Sequence, residues 1–351
     1  MKIKYTFLLL CLFLGSCYQA TAQKFLWDVT FDGFFDNREF KAPYQRPQTF
    51  FGTRITPEFG LQIKDEHQLV GGLTWIQEFG HTDDGHVDWS IYYRYNGKKL
   101  KASFGSFSRK LLAAEYPVAM LSDSMRYFDP NINGALFQYF LPCGHVEAYI
   151  DWQSRQSETQ REIFSIASSG RFQKNWFLGG WFFWMNHFAK SKQGVNENLV
   201  DNMLVNPYLL FDFSQYIPLN VLSLKTGALV SLDRNRGQEE WLTPAGFLGE
   251  LKAEWRFLGV HETFYAGGNQ LPFYGEFGSK LHYSDSFYQA PVYSRTDIYA
   301  YLLRNKYVTC KASFNLHAAG GRLQTQQMLT LSFHLDQDDI SKNTWKKLFL
   351  R

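Results

Sequence analysis

Cysteine is scarce in this 351-residue chain: there are four, and two of them, Cys11 and Cys17, fall within the first 22 residues. Only Cys143 and Cys310 lie beyond that point, so a disulfide framework does not organise the fold, although an oxidising compartment would permit a bridge. After residue 22 no segment approaches the roughly 18 to 20 uninterrupted apolar residues of a membrane-spanning helix. Charge of one sign is also missing, with 36 basic residues against 33 acidic, so no basic field for nucleic acid is present. Enzyme signatures are absent as well: there is no G-x-S-x-G, no H-E-x-x-H, no P-loop and no Rossmann glycine fingerprint. Nothing points to a cofactor. The sequence is therefore read as non-enzymatic. A Ser, His and amide or acid set spread over neighbouring strands, as in outer-membrane lipases and acyltransferases, would escape a motif search, and nine histidines leave room for one.

Aromatics, by contrast, make up 18% of the chain. The stretch His86 to Phe104 explains why. Val87, Trp89, Ile91, Tyr93 and Tyr95 alternate with Asp88, Ser90, Tyr92, Arg94 and Asn96, then Asn96-Gly97 turns the chain back through Leu100, Ala102 and Phe104. One face of this hairpin is apolar and edged with Trp and Tyr, as at a membrane interface; the other is charged. The same unit recurs along the chain. Strand-like alternation includes Phe25 to Phe35, Phe51 to Ile63, a strand from Leu69 through Trp75 and Glu78, His145 to Arg155, Thr243 to Phe257, Thr296 to Leu303, Tyr307 to His317 and Arg322 to Leu335. Short connections alternate with long ones in phase. The sequence predicts an all-β transmembrane antiparallel β-barrel of about sixteen strands (fourteen to eighteen), with short periplasmic turns and long extracellular loops. The rival reading is a secreted β-sandwich, such as a carbohydrate-binding module.

Residues 1–22 read as a signal peptide: Met1-Lys2-Ile3-Lys4, an apolar run from Phe7 to Leu14, then small residues. Cleavage is expected before Gln23, after Ala20-Thr21-Ala22, with lipidation at Cys17 as the alternative. Removing Lys2 and Lys4 leaves 34 basic and 33 acidic residues, a charge of +1. Residues 23–335 form the expected barrel in the outer membrane, and 336–351 a polar tail.

Three groups of candidate site residues follow. The pore-lining set is Arg54, Glu58, Glu78, Asp88, Arg94, Glu147, Asp151, Arg155, Lys225, Glu250, Lys252, Glu254 and Arg256, with Asp28, Asp32, Lys101, Glu262 and Lys311 assigned to the same inward face. It reads either as neutralising pairs on a wetted wall or as a field that sorts solutes. The second group sits in and just after the loop from Gly267 to Arg295, which is expected to fold inward or over the mouth and to bring Tyr283, Asp285, Phe287, Tyr288, Tyr293, Arg295 and Asp297 to the entrance. Third, His81, Asp83, Asp84 and His86 offer enough ligands for a divalent ion, but the favoured reading is a solvated surface loop with no metal.

The runs Phe34-Phe35-Asp36-Asn37-Arg38-Glu39 and Thr53-Arg54-Ile55-Thr56-Pro57-Glu58-Phe59-Gly60, and the segment Asp285 to Asp297, resemble uncharacterised, porin-like outer-membrane β-barrels of the Bacteroidetes type. The resemblance spans most of the chain and implies location and fold without implying chemistry. One departure is the terminus: Phe333 lies near the end of the last strand and a polar tail follows it. The wide charged lumen leads to an expected function of passive or weakly selective passage of small polar solutes, with outer-membrane lipid as the other partner. A surface-binding barrel and a lipid-modifying enzyme are the alternatives. The oligomeric state is left open.

Overall fold

Sixteen antiparallel strands close on themselves in sequence order, β1 pairing with both β2 and β16. The computed structural model describes residues 23–337 apart from 42, 81–84, 159, 175, 190–197 and 239. The signal segment and nearly all of the polar tail lie outside the described residues. The strands are β1 Gln23–Glu39, β2 Gln48–Ile63, β3 His67–Glu78, β4 His86–Asn96, β5 Leu100–Ser108, β6 Asn131–Leu141, β7 Gly144–Ser154 and β8 Ile163–Lys174. They continue as β9 Phe177–Phe188, β10 Val200–Asp212, β11 Val221–Asn235, β12 Ala245–Trp255, β13 Leu258–Gly267, β14 Val292–Arg304, β15 Val308–Ala319 and β16 Arg322–Asp336.

The alternation that predicts the strands also decides their faces. On β4, Trp89 and Ile91 are 72% and 67% exposed while Ser90 and Tyr92 between them are 4% and 5% exposed. Large apolar groups point out into lipid, and the inward set is packed. This inverts a soluble sandwich. Longer connections mark the extracellular end, with one exception to the expected alternation: β15 and β16 are joined by Gly320-Gly321 alone, both at positive φ. Only residues without a Cβ make so tight a turn cheaply.

Two extracellular connections do not stay outside. The chain between β5 and β6 enters the lumen and carries a short helix, Asp123–Phe128, and the chain between β13 and β14 enters beside it with a further helical turn, Tyr274–Phe277. Tyr116, Met120, Leu281, Phe287 and Tyr288 of these segments are 0 to 1% exposed. The Tyr116 ring meets Tyr149, Phe182 and Trp184 of the wall at 5.7, 5.2 and 5.8 Å. A sixteen-stranded wall is too wide for its own side chains to fill. Here the two connections fill it as a plug. Beneath them, toward the periplasm, a vestibule of about 760 Å³ remains.

One plug residue makes the packing sensitive to acid. His282 is fully buried, stacked on Tyr274 at 6.1 Å, with neither ring nitrogen hydrogen-bonded among the described residues. Burial pushes its pKa down from 6.5 to about 3. Between those values the unfolded chain takes up a proton that the folded one refuses, so plug stability is full above pH 6.5 and falls as pH drops toward 3. Protease access to the 268–291 segment should therefore rise on acidification, and His282→Leu should reduce that rise. Equal acid sensitivity in the variant would place the titrating group elsewhere.

Candidate functional site

The inward charges are occupied in holding the plug. Arg54 bridges Asp32 (2.7 Å) and the carbonyls of Arg126 and Tyr127 (3.0 and 3.2 Å). Glu147 accepts from the Ala113 amide at 2.5 Å and from Gln138 at 2.7 Å. Arg109, at the entry to the plug, donates to Asp129 and Asp151, 2.6 Å each. Burial works against that guanidinium's charge, but the two carboxylates outweigh it and hold its pKa above the ordinary value. Arg109→Met should cost about 3 to 5 kcal/mol, because it leaves Asp151 buried and unpaired. Thermal unfolding in detergent reads this directly, and a shift of under a degree would show that the bridge contributes nothing.

The remaining predicted residues disperse. Glu58 receives Ser90 and Tyr92 (both 3.2 Å), and Arg94 stands half-buried in the vestibule. On the opposite wall Lys225 pairs with Glu250 (2.8 Å) and Lys252 with Glu254 (3.2 Å), and Glu254 also accepts from Tyr299 (2.8 Å). Glu78 ends β3 at the rim. Arg155 and Arg256 do not line the lumen, because alternation ends before each of them. Arg155 lies beyond the last residue of β7, and Arg256 occupies the β12–β13 turn at φ +54°, its guanidinium over the Trp255 ring at 4.8 Å. Glu262 faces lipid rather than the lumen, since its neighbours His261 and Thr263 point in; it accepts from Ser294 (2.6 Å) and Thr296.

Of the loop residues, Tyr293, Arg295 and Asp297 belong to β14 itself, and Tyr283, Asp285, Phe287 and Tyr288 to the plug. Phe287 stacks on Tyr293 at 5.1 Å and on His317 at 5.0 Å. Arg295 ties the wall to the plug through Asp123 (2.9 Å) and is held on its own strand by Asp297 (2.7 Å). Behind them runs a closed chain of bonds: Tyr293 to His317 (2.8 Å), His317 to Gln326 (3.0 Å), Gln326 to Asp36 (2.7 Å) and Arg38 to Asp36 (2.7 Å). All of these side chains are buried, which makes them a scaffold rather than a reaction centre. His81, Asp83 and Asp84 lie outside the described residues, and His86 is exposed, 2.7 Å from Asp88. Among the described residues, one set of side chains converges as a cation site would: Asp28, His334 and Asp336, at the periplasmic mouth.

The outer wall holds what the sequence reading did not find. β1 was expected to end at Phe35, yet it continues to Glu39 with Asn37 and Glu39 in outward positions. The register sets Asn37 directly opposite Gln327 on β16 and Thr49 on β2. Asn37 Nδ2 donates to Gln327 Oε1 (2.7 Å) and to Glu39 Oε1 (3.0 Å), and Thr49 Oγ1 donates to Asn37 Oδ1 (2.7 Å). Glu39 and Thr49 are exposed, with Asn37 and Gln327 half-buried beneath them. An acid, a hydroxyl and two amides thus form one row across three strands, within two residues of the extracellular end of β1. A second outward pair, His187 beside Asp201 (3.5 Å, with Arg236 on Asp201 at 2.9 Å), lies half-way round the barrel.

The family model described as lipid A 3'-O-deacylase-type matches residues 18–337. The chain belongs to that lipid A 3'-O-deacylase-type family. Membership corrects four expectations: the family is a named one and not an uncharacterised porin-like group, its named activity is enzymatic, the reading as a solute-passing or binding barrel falls, and small polar solutes fall as partners. The filled lumen is the physical counterpart of that correction. Solved structures share the outer-membrane barrel fold of this family member at low identity. A loop L8 deletion mutant of OmpT, an outer membrane protein of Vibrio cholerae, is 10% identical over 90% of this chain and 100% of its own, with a TM-score of 0.56. OccK8 (OprE) of Pseudomonas aeruginosa is 9% identical over 90% and 98%, TM-score 0.56. The outer membrane protein opdK of the same organism is 11% identical over 89% and 99%, TM-score 0.53. No curated protein matches the sequence.

Proposed function

We propose that this barrel hydrolyses an acyl ester of a lipid A-type glycolipid in the outer leaflet, and that the Asn37, Glu39, Thr49 and Gln327 row is where it does so. The observation that carries the reading is the row itself. Polar groups on a lipid-facing strand are costly, and these sit near the extracellular rim of the wall, where headgroup meets acyl chain. In this reading the Glu39 carboxylate, oriented by Asn37, takes a proton from water. The water oxygen bonds to the acyl carbon, the bond from that carbon to the sugar oxygen breaks, and the sugar oxygen takes up the proton. The Gln327 amide nitrogen, and the Thr49 hydroxyl once its single hydrogen turns from Asn37 Oδ1 to the substrate, supply donors for the charge that develops on the carbonyl oxygen. The test is purified, folded barrel incubated with lipid A in mixed micelles, with released fatty acid read by mass spectrometry. A steady release proportional to enzyme is expected, and none over many hours would overturn the reading.

A further inference from the structure

The barrel wall comes apart at one place in its extracellular rim. β4 pairs with β3 up to His86, but its pairing with β5 stops at Ile91 opposite Ser106. The cause lies one residue before Ser106. Gly105 has φ +126°, and a Cβ there would stand 2.2 Å from the Ile91 carbonyl oxygen, so β5 bends away at a point only glycine can occupy. Across the hairpin, β6 pairs with β7 only from Gly134 opposite Asp151, although β7 continues to Ser154 against β8. β5 and β6 stay paired to each other as far as Ser108 and Asn131, so near the extracellular end this pair parts from β4 on one side and β7 on the other and leaves a notch in the rim.

A recess of about 370 Å³ fills this notch and is closed on the inner side by Tyr283 and Phe128 of the plug. It is a pocket in the wall rather than a passage. Trp89 stands on one edge, 72% exposed, and Asn133 faces outward on the sill opposite Ser106. Asp88 and Gln153 contribute from the flanking strands, and Gln153 Oε1 is buried with no hydrogen-bond partner among the described residues. The nearest guanidinium, Arg109, is already held between Asp129 and Asp151. Carboxylates, amides and flanking aromatic rings suit a hydroxyl-rich sugar ring, and the one lining side chain able to carry positive charge, His86, is held 2.7 Å from Asp88.

We infer that the notch receives the sugar headgroup of a membrane glycolipid, which enters sideways from the outer leaflet. The inference rests on the hydrolase reading for the class of lipid, and the two sites fit one molecule. β4 lies two strands beyond Thr49 on β2, roughly 10 Å round the wall at the usual strand spacing. A headgroup seated in the notch would leave its acyl chains lying toward the Asn37 row.

The test places a photo-crosslinking amino acid at Asn133 of the full chain in outer membranes, with Phe247, a lipid-facing position near the extracellular end of β12, as control. Glycolipid adducts should be enriched over phospholipid adducts several-fold at 133 relative to 247; the same lipid mixture at both positions overturns the inference. In the hydrolysis assay Asn133→Trp or Ser106→Trp, which fill the recess from an outward position, should raise KM for lipid A by about tenfold, the scale of one or two lost hydrogen bonds, with kcat little changed. Hydrolysis that proceeds with no enrichment and no KM effect removes the notch and leaves the hydrolase reading standing. Enrichment without any hydrolysis removes the hydrolase reading and leaves the notch.

Discussion

Glu39→Gln lowers the release of fatty acid from lipid A by roughly a hundredfold or more, the usual cost of losing a general base. The substitution preserves shape and keeps an oxygen to accept from Asn37, so it removes basicity and little else. Glu39 is exposed on the outer wall and touches no plug residue, so the variant should keep the wild-type shift between heated and unheated forms on a gel. Thr49→Val should cost less, roughly tenfold or more, as loss of one donor to the developing oxyanion. His187→Ala, half-way round the barrel, should change nothing. The pattern matters more than any single number: if Glu39→Gln keeps the full rate while His187→Ala abolishes it, the reaction belongs to the other side of the wall.

Removing the plug should have the second large effect, and on a different quantity. With residues 268–291 replaced by a short turn and 112–127 deleted, the wall keeps its sixteen strands but loses the aromatic and aliphatic side chains that fill it. A lumen of this circumference then holds water. Planar-bilayer recordings should show no steady conductance for the wild-type protein and clear steps for the variant. Conductance of similar size in both would mean that the packed residues do not seal the barrel. The variant should also unfold at lower temperature, since Arg54 and Glu147 would lose plug partners and remain facing the lumen without them.

Both experiments bear on how much could be read from the sequence. The strand count was legible because each strand buries one face and exposes the other to lipid, and a period of two survives even when individual residues vary. Strand ends were not legible wherever the lipid face turns polar. β1 was cut at Phe35 because Asn37 and Glu39 look like loop residues, although they keep the outward parity of Phe31 and Phe35; extending that parity past the first polar residue would have found them. β14 was started late for the same reason, since Ser294 stands in an outward position. In both strands the polar residues that hide the strand end hydrogen-bond to other polar side chains on the outer wall. The plug was out of reach for another reason. Tyr116 and Met120 lie in a connection without periodicity, and only the closed wall supplies Tyr149, Phe182 and Trp184 for them to meet. Period-two alternation sets the face of a charge such as Arg54 or Glu147, but nothing in a single strand shows that its partners include the plug backbone.

The hydrogen bond from Asn37 to Gln327 joins residues 290 positions apart, across the seam where the first strand meets the last. Before the seam is stitched, Asn37 has Thr49 on its own hairpin and nothing on its other flank, because β16 is the final strand to emerge from synthesis. A chain in transit, or a barrel still open at insertion, lacks one of the four residues of the row, Gln327. If the row is where the proposed hydrolysis takes place, this topology makes closure of the wall the step that completes it, so that a chain still being delivered would be inert toward the membrane receiving it.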